Sequence, residues 1–161
     1  MGDIPDTVRN IPGPCEVAII KHLESFLLEM GNGFAFIARQ HHFRIEGESF
    51  RMDLVLFHRL LHCLVIIDLK IGKFTHADAG QMNLYLNYAK EHLTVAGEND
   101  PVGLILCSDK SDAVVKYAMG GINAKVFASQ YLTSLPDAEV LRQELLRTKH
   151  AFETRASLSG D

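Results

Sequence analysis

The sequence lacks the features that mark secreted, membrane-spanning or nucleic-acid-coating proteins. Its 3 cysteines are widely spaced and include no CxxC pair, which argues against a disulfide framework and against a structural zinc site. Positive charge is not in excess, since 16 Lys and Arg face 20 Asp and Glu for a formal net charge of −4. This balance argues against a protein that coats nucleic acid through bulk charge. The longest strongly apolar stretch, near Leu60–Ile67, is too short to span a bilayer.

What remains is the composition of an ordinary globular domain. Hydrophobic residues make up 47% and charged residues 22% of the 161 residues, enough for one core without disulfide or metal support. The first ten residues are polar and lack the apolar segment of a secretory signal, so we expect a cytoplasmic protein without membrane association. The simplest division is an N-terminal tail over 1–13, one domain over 14–149 and a C-terminal tail over 150–161.

Hydrophobic periodicity predicts nine elements in the order α-β-β-β-α-β-α-β-α. They are a helix Pro14–Met30, strands Phe34–Ile45, Phe50–Phe57 and Cys63–Lys70, a helix from a Thr75 capping box to about His92, a strand Val102–Cys107, a helix Ser111–Met119, a strand Ala124–Ala128 and a helix Ala138–Lys149. A helix between the third and fourth strands implies a parallel crossover added to an antiparallel meander. The predicted fold is therefore α/β, with a mixed central sheet flanked by helices.

Acidic and basic side chains interrupt two of the apolar strands. Because side chains alternate along a strand, Asp68 and Lys70 point to one face of the sheet and Leu69 to the other. Desolvating such charges at the end of a buried strand costs free energy, and this cost favours a functional role for them. Asp53 lies in the neighbouring strand, and two carboxylates on paired strands can converge on a hard cation such as Mg²⁺. From spacing alone, an ordinary ion pair at Asp68–Lys70 and a hydrogen-bonded turn or cap role for Asp53 explain the pattern equally well.

The first predicted helix carries a carboxylate within its apolar stripe. At about 100° per residue, Glu16 falls at the centre of the arc formed by Ile20, Leu23, Leu27 and Met30. Glu24 lies on the flank of that arc and Glu29 well outside it. A carboxylate facing the core requires a partner. The alternative is that Glu16 complements the helix macrodipole, which explains its position along the helix but not its face.

An acid on the first helix, an acid on the second strand and an acid-x-Lys triplet on the third strand resemble the PD-(D/E)XK nuclease superfamily, whose core is αβββαβ. The likeness becomes more specific in five segments, FLLEMGNGFAFIARQ (26–40), FRMDLVLFH (50–58), LLHCLVIIDLKIGKF (60–74), GQMNLYLNY (80–88) and VGLILCSDKSDAVVKYA (102–118). Over roughly residues 14–148 the chain resembles the C-terminal nuclease domain of YhcG-type bacterial proteins.

The resemblance implies a role for each matching residue. Asp53 would be the aspartate of the PD motif, preceded here by methionine and not by proline. Asp68 and Lys70 would be the acid and the lysine of the (D/E)XK motif, with Asp68 one methylene shorter than the glutamate usual in close relatives. Glu16 would match the glutamate of the first helix, and Gln81 the glutamine of the second helix that lies beside the lysine.

The implied activity is metal-dependent hydrolysis of phosphodiester bonds. The expected ligands of one or two Mg²⁺ or Mn²⁺ ions are Asp53, Asp68, the Leu69 carbonyl and, through water, Glu16. Lys70 would position or deprotonate the attacking water, or pair with the phosphate. Gln81 would orient Lys70 or the water.

A locally basic segment supplies candidates for substrate contact. Residues 39–76 contain six Lys and Arg against four acids, and two of those acids would be covered by metal. The candidates for nucleic-acid contact are Arg39, Arg51 and Lys73. The alternative for each of them is a solvated strand end or turn.

The expected function is therefore a nuclease acting on DNA, in bacterial defence or DNA processing, a setting that the resemblance alone implies. One alternative is a weakly active or inactive module that keeps the nuclease fold to bind nucleic acid or protein, and another is an RNA-directed hydrolase. The relatives carry a separate N-terminal helical domain that this sequence lacks, so the two expectations are a nuclease domain with a missing N-terminal partner domain and a stand-alone version. A homodimer is a further expectation, because nucleases of this superfamily often pair to cut two strands.

Overall fold

A computed structural model describes residues 14–108, 113–119 and 135–158 of the chain. The helices and strands in these ranges are α1 (Pro14–Met30), β1 (Phe34–Ile45), β2 (Glu48–His58), β3 (Cys63–Lys70), α2 (His76–His92), β4 (Val102–Ser108), β5 (Ala113–Met119) and α3 (Ala138–Leu158). None of the described helices is long and apolar enough to cross a membrane.

The described strands form one mixed sheet in the order β1-β2-β3-β4-β5. β1, β2 and β3 are an antiparallel meander, and β4 pairs parallel to β3 because α2 carries the chain back along one face of the sheet. β5 then returns antiparallel to β4. The predicted α/β architecture, with a mixed central sheet flanked by helices and an αβββαβ order, is confirmed.

One predicted element type and one predicted boundary near the C-terminus are wrong. The predicted helix Ser111–Met119 is a strand from Ala113, paired along β4 from Ser108↔Ala113 to Val102↔Met119. The exposed edge of β4 offers backbone hydrogen bonds to an apolar, valine-containing segment, and this pairing outweighs local helix propensity. α3 continues to Leu158, past the predicted end at Lys149, and Phe152 packs against the core on that side. The predicted strand Ala124–Ala128 lies outside the described residues.

The β2–β3 hairpin turns without the usual glycine or asparagine. His62 adopts a left-handed φ of 54°, and its N–H donates to the His58 carbonyl at 2.8 Å. The buried His58 ring accepts from the Leu61 N–H at 3.2 Å. Asn99 holds the turn from a distant loop, by donating from its side chain to the Leu61 carbonyl at 2.9 Å. This long-range hydrogen bond stabilises a turn that contains neither glycine nor asparagine.

Two apolar layers cover the two faces of the sheet. α1 and α3 pack on one face over Leu54, Val65 and Ile67, and α2 packs on the other over Leu64 and Ile66. Since side chains alternate along β3, the even-numbered Asp68 and Lys70 lie on the α2 face.

Residues of α1 provide a matched test of this packing. Leu23 is 1% exposed against the sheet, whereas Leu28 on the same helix is 39% exposed. We expect Leu23→Ala to lower the free energy of unfolding by about 2–5 kcal/mol, because it leaves a cavity in the core. Leu28→Ala should cost less than about 1 kcal/mol. Urea unfolding measures both, and equal losses would contradict the packing of α1.

Candidate active site

The carboxylate of Asp53 bridges β2 and β3 where their backbone pairing ends. The last backbone pair of the two strands is Leu54↔Ile67. Beyond it, Asp53 Oδ2 accepts a hydrogen bond from the Leu69 N–H at 2.7 Å. Asp53 Oδ1 faces Arg51 Nε at 3.2 Å, and the residue is only 3% exposed. A buried carboxylate is thus fixed in place by one backbone donor and one guanidinium.

Asp68 is the neighbour of Asp53 at this end of the β2–β3 pairing. Burial raises the pKa of Asp68 well above its ordinary value, and the charge of Asp53 and a hydrogen bond between the two carboxyl groups raise it further. The Arg51 guanidinium opposes this shift by favouring the ionised form. The two carboxylates repel each other unless a proton or a cation lies between them. Their oxygen atoms are of the kind that a hard divalent cation prefers as ligands. Asp53 and Asp68 therefore fit the metal that the sequence predicts.

The lysine of the triplet extends from the same face of β3 toward α2. Lys70 Nζ lies 3.4 Å from Asp78 Oδ1. The other oxygen of Asp78 accepts hydrogen bonds from the Thr75 N–H at 2.7 Å and from Thr75 Oγ1 at 3.0 Å. The predicted capping box at the start of α2, with aspartate in place of glutamate, is confirmed. The spacing identified Asp78 as a cap, but its contact with Lys70 depends on how α2 packs on β3.

Glu16 is not brought into a close ligand set with the carboxylate pair. It lies in the first turn of α1 and is partly buried, in keeping with its place on the apolar face of that helix. Within residues 14–108, 113–119 and 135–158, no three His, Cys, Asp or Glu side chains gather closely enough to hold a metal ion. α1 packs on the face of the sheet opposite Asp68. A contribution of Glu16 through water stays a prediction.

Comparison with known proteins places this arrangement in a family. Residues 12–146 match the family described as "YhcG PDDEXK nuclease domain". The chain belongs to this family. It is 52% identical over 138 residues to the Escherichia coli (strain K12) protein named "Putative nuclease YhcG", a match that covers 86% of this chain and 37% of that relative. The chain thus spans well under half of the relative's length.

Among solved structures, the chain is similar to the one titled "Crystal structure of SSO0001". The match has a TM-score of 0.34 and 12% identity, and it covers 71% of this chain and 55% of the other.

The α2 helix of this YhcG-family domain places an aromatic side chain near the carboxylate pair. Tyr85 is 2% exposed, and burial followed by the charge of Asp68 raises the pKa of its hydroxyl. The hydroxyl also makes a hydrogen bond with the backbone of Arg51, so Tyr85 joins α2 to β2 beside the site. Gln81 is exposed one helical turn after Asp78, and its role in orienting Lys70 or a water stays a prediction.

Two of the three basic residues expected to contact nucleic acid are engaged within the domain. Arg39 pairs with Glu24 on α1 at 3.0 Å. Arg51 points at Asp53 with its side chain 15% exposed, and its buried Nη1 meets no acceptor among the described residues. Lys73 is exposed. Sequence reasoning therefore missed the main contact of Arg51, which neutralises part of the charge of the carboxylate pair.

The two carboxylates should respond in opposite ways to the same substitution in metal-free protein. Asp68→Asn removes a repelled charge and should raise the free energy of unfolding by about 0.5–2 kcal/mol at neutral pH. Because the folded-state pKa of Asp68 is raised, its ionisation costs stability as pH rises, and the gain should be larger near about pH 8 than near about pH 4. Asp53→Asn, which loses the Arg51 pair, should lower stability by about 1–3 kcal/mol. Urea unfolding with a chelator present measures both, and stabilisation by Asp53→Asn would contradict the assigned contacts.

Proposed function

We propose that this domain is a metal-dependent nuclease that hydrolyses phosphodiester bonds in DNA by endonucleolytic cleavage. The observation that carries the proposal is the hydrogen bond from the Leu69 N–H to Asp53 Oδ2 at 2.7 Å, which brings Asp53 to the acid-x-Lys triplet at the end of the β2–β3 pairing. Lys70 follows two residues later on the same face of β3. An oxygen-ligand pair beside a lysine, in a chain of a nuclease family, supports phosphodiester hydrolysis more than any other reaction.

The carboxylate pair is the proposed holder of Mg²⁺ or Mn²⁺. Asp53 and Asp68 would be the side-chain ligands, with the Leu69 carbonyl and a water-mediated Glu16 as further proposed ligands. When bound, such a cation supplies Lewis-acid stabilisation of phosphoryl charge and a hydroxide at neutral pH. Asp53 is held in place by the Leu69 N–H and by Arg51, so this ligand needs no rearrangement of the backbone.

The remaining side chains have proposed roles around the scissile phosphate. Lys70 would position or deprotonate the attacking water, or pair with a phosphate oxygen, and Gln81 would orient one of these groups. Arg51 already offsets one negative charge of the carboxylate pair, which lowers the repulsion that an anionic substrate meets. Lys73 is the exposed cation proposed to contact the nucleic-acid backbone.

The setting of the activity is also a proposal. The 37% coverage of the relative is compatible with a nuclease domain that works beside another domain. We propose action in bacterial defence or DNA processing, with a homodimer for cutting two strands. Cytoplasmic location is supported by two buried, unpaired cysteines, Cys63 and Cys107. Burial raises the pKa of the Cys63 thiol to about 12, so this thiol is unreactive.

Metal binding can be measured without any assay of activity. Mn²⁺ or Mg²⁺ at about 100 times its dissociation constant should stabilise the wild-type chain by about 2.7 kcal/mol. Asp53→Ala and Asp68→Ala should lose this gain, because each removes a ligand of the pair. Glu29→Ala, at an exposed position on α1, is the control and should keep it. Thermal unfolding with and without metal gives the result, and an undiminished gain in both site variants would contradict the metal site.

Cleavage tests the function itself. Plasmid, branched and single-stranded DNA should be cut in the presence of Mg²⁺ or Mn²⁺, and Asp68→Ala and Lys70→Ala should each lower the rate by about 100-fold or more. Lys73→Ala keeps the ligands and should mainly weaken binding. Activity that survives both site substitutions would show that the site is wrongly placed. A wild-type chain that binds DNA but cuts none would favour the binding-module alternative, and cleavage of RNA alone would favour the RNA-directed one.

A further inference from the structure

The ammonium group of Lys70 is held by a residue from outside the acid-x-Lys triplet. Asp68 lies two residues before it on the same face of β3, yet Lys70 Nζ lies 3.4 Å from Asp78 Oδ1 on α2. The Lys70 side chain is 42% exposed, so it retains access to solvent and to a substrate. Asp78 is 9% exposed and belongs to the first turn of α2.

The two oxygens of Asp78 have separate partners. Oδ2 accepts from the N–H and the hydroxyl of Thr75, which closes the capping box, and Oδ1 faces Lys70. The Thr75 hydroxyl also accepts from the Asp78 N–H at 3.4 Å. The carboxylate therefore has little freedom to rotate, and its negative charge is further favoured at the positive end of the α2 dipole. The backbone N–H contact at 2.7 Å does not need the Thr75 side chain and by itself keeps Oδ1 of Asp78 toward Lys70.

Asp68 is a second candidate partner for the same lysine, because both side chains lie on one face of β3. Asp68 is close enough to Asp78 that the charge of Asp78 contributes to raising the Asp68 pKa. A lysine released from Asp78 has Asp68 within reach on its own strand, and an ammonium there would compete with a cation for that carboxylate. The contact with Asp78 keeps the ammonium on the α2 side.

We propose that Asp78 is a positioning residue of the site, which holds Lys70 away from Asp68 and presents it to the substrate. This inference rests on the proposed nuclease function. Asp78 then has two tasks, since Oδ2 closes the capping box of α2 and Oδ1 holds Lys70.

Three variants separate the cap from the lysine contact. Asp78→Asn keeps an oxygen for Thr75 but turns an amide toward Lys70. Asp78→Glu keeps the charge and is the usual residue at this capping position. Thr75→Ala weakens the cap and leaves the Asp78 charge in place.

In the cleavage assay, activity should follow the charge at position 78 and not the stability of each variant. Asp78→Asn should lower kcat by about tenfold with KM for DNA within about twofold of wild type, because the lysine is misplaced after substrate has bound. Asp78→Glu should rescue kcat to within about twofold. Thr75→Ala should lower the melting temperature by roughly 2–8 °C and leave kcat within about twofold. If Thr75→Ala and Asp78→Asn lose kcat together in proportion to their loss of stability, Asp78 is only a cap and the proposal is overturned.

A second readout needs no activity. Acetylation of Lys70 by a small amine-reactive reagent, followed by mass spectrometry with exposed Lys73 as the internal reference, reports whether Lys70 is held. Asp78→Asn should raise the Lys70/Lys73 ratio by about threefold, in keeping with loss of a half-exposed ion pair, while Thr75→Ala leaves it unchanged. An unchanged ratio in Asp78→Asn would overturn the positioning role even if the wild type cuts DNA. A raised ratio in a chain that cuts no DNA would uphold the contact while the nuclease function fails.

Discussion

The hydrogen bond from the Leu69 N–H to Asp53 Oδ2, at 2.7 Å, connects the site to the sheet. It takes the place of a backbone bond where β2 and β3 stop pairing after Leu54↔Ile67. A side chain can fill this gap only where the strands separate, and the same separation leaves room for the Asp68 carboxyl group beside Asp53. The strand end that loses its backbone partner is therefore the place where two carboxylates can meet.

Charge compensation explains why this cluster is tolerated in a small domain. Three carboxylates, those of Asp53, Asp68 and Asp78, lie close to Arg51 and Lys70. Arg51 pairs with Asp53, and Lys70 pairs with Asp78, whereas burial, followed by the charge of Asp53, raises the pKa of Asp68. The least compensated carboxylate lies where the proposed cation would bind. The ionised Asp68 therefore lowers the stability of the fold at the position where the proposed chemistry takes place.

Most residues of the candidate site could be predicted from the local sequence, because each of them interrupts or begins a regular element. Asp53 breaks an apolar run in β2, Asp68 and Lys70 end the apolar run of β3, and the Thr75–Asp78 spacing marks the start of α2. The strand β5 was predicted as a helix, because its valines and alanines fit either structure until the edge of β4 is present.

Local periodicity was enough to predict the six elements from α1 to β4, and it showed which charged residues interrupt buried strands. The tertiary structure decided which charges meet. Arg51 turns inward to Asp53, Lys70 reaches across to Asp78, and Glu16 lies on a helix packed against the opposite face of the sheet. The Lys70–Asp78 pair joins two elements, so packing and not local spacing decides it. Arg51 and Asp53 lie two residues apart on β2, and only the depth at which the sheet is buried directs this arginine inward.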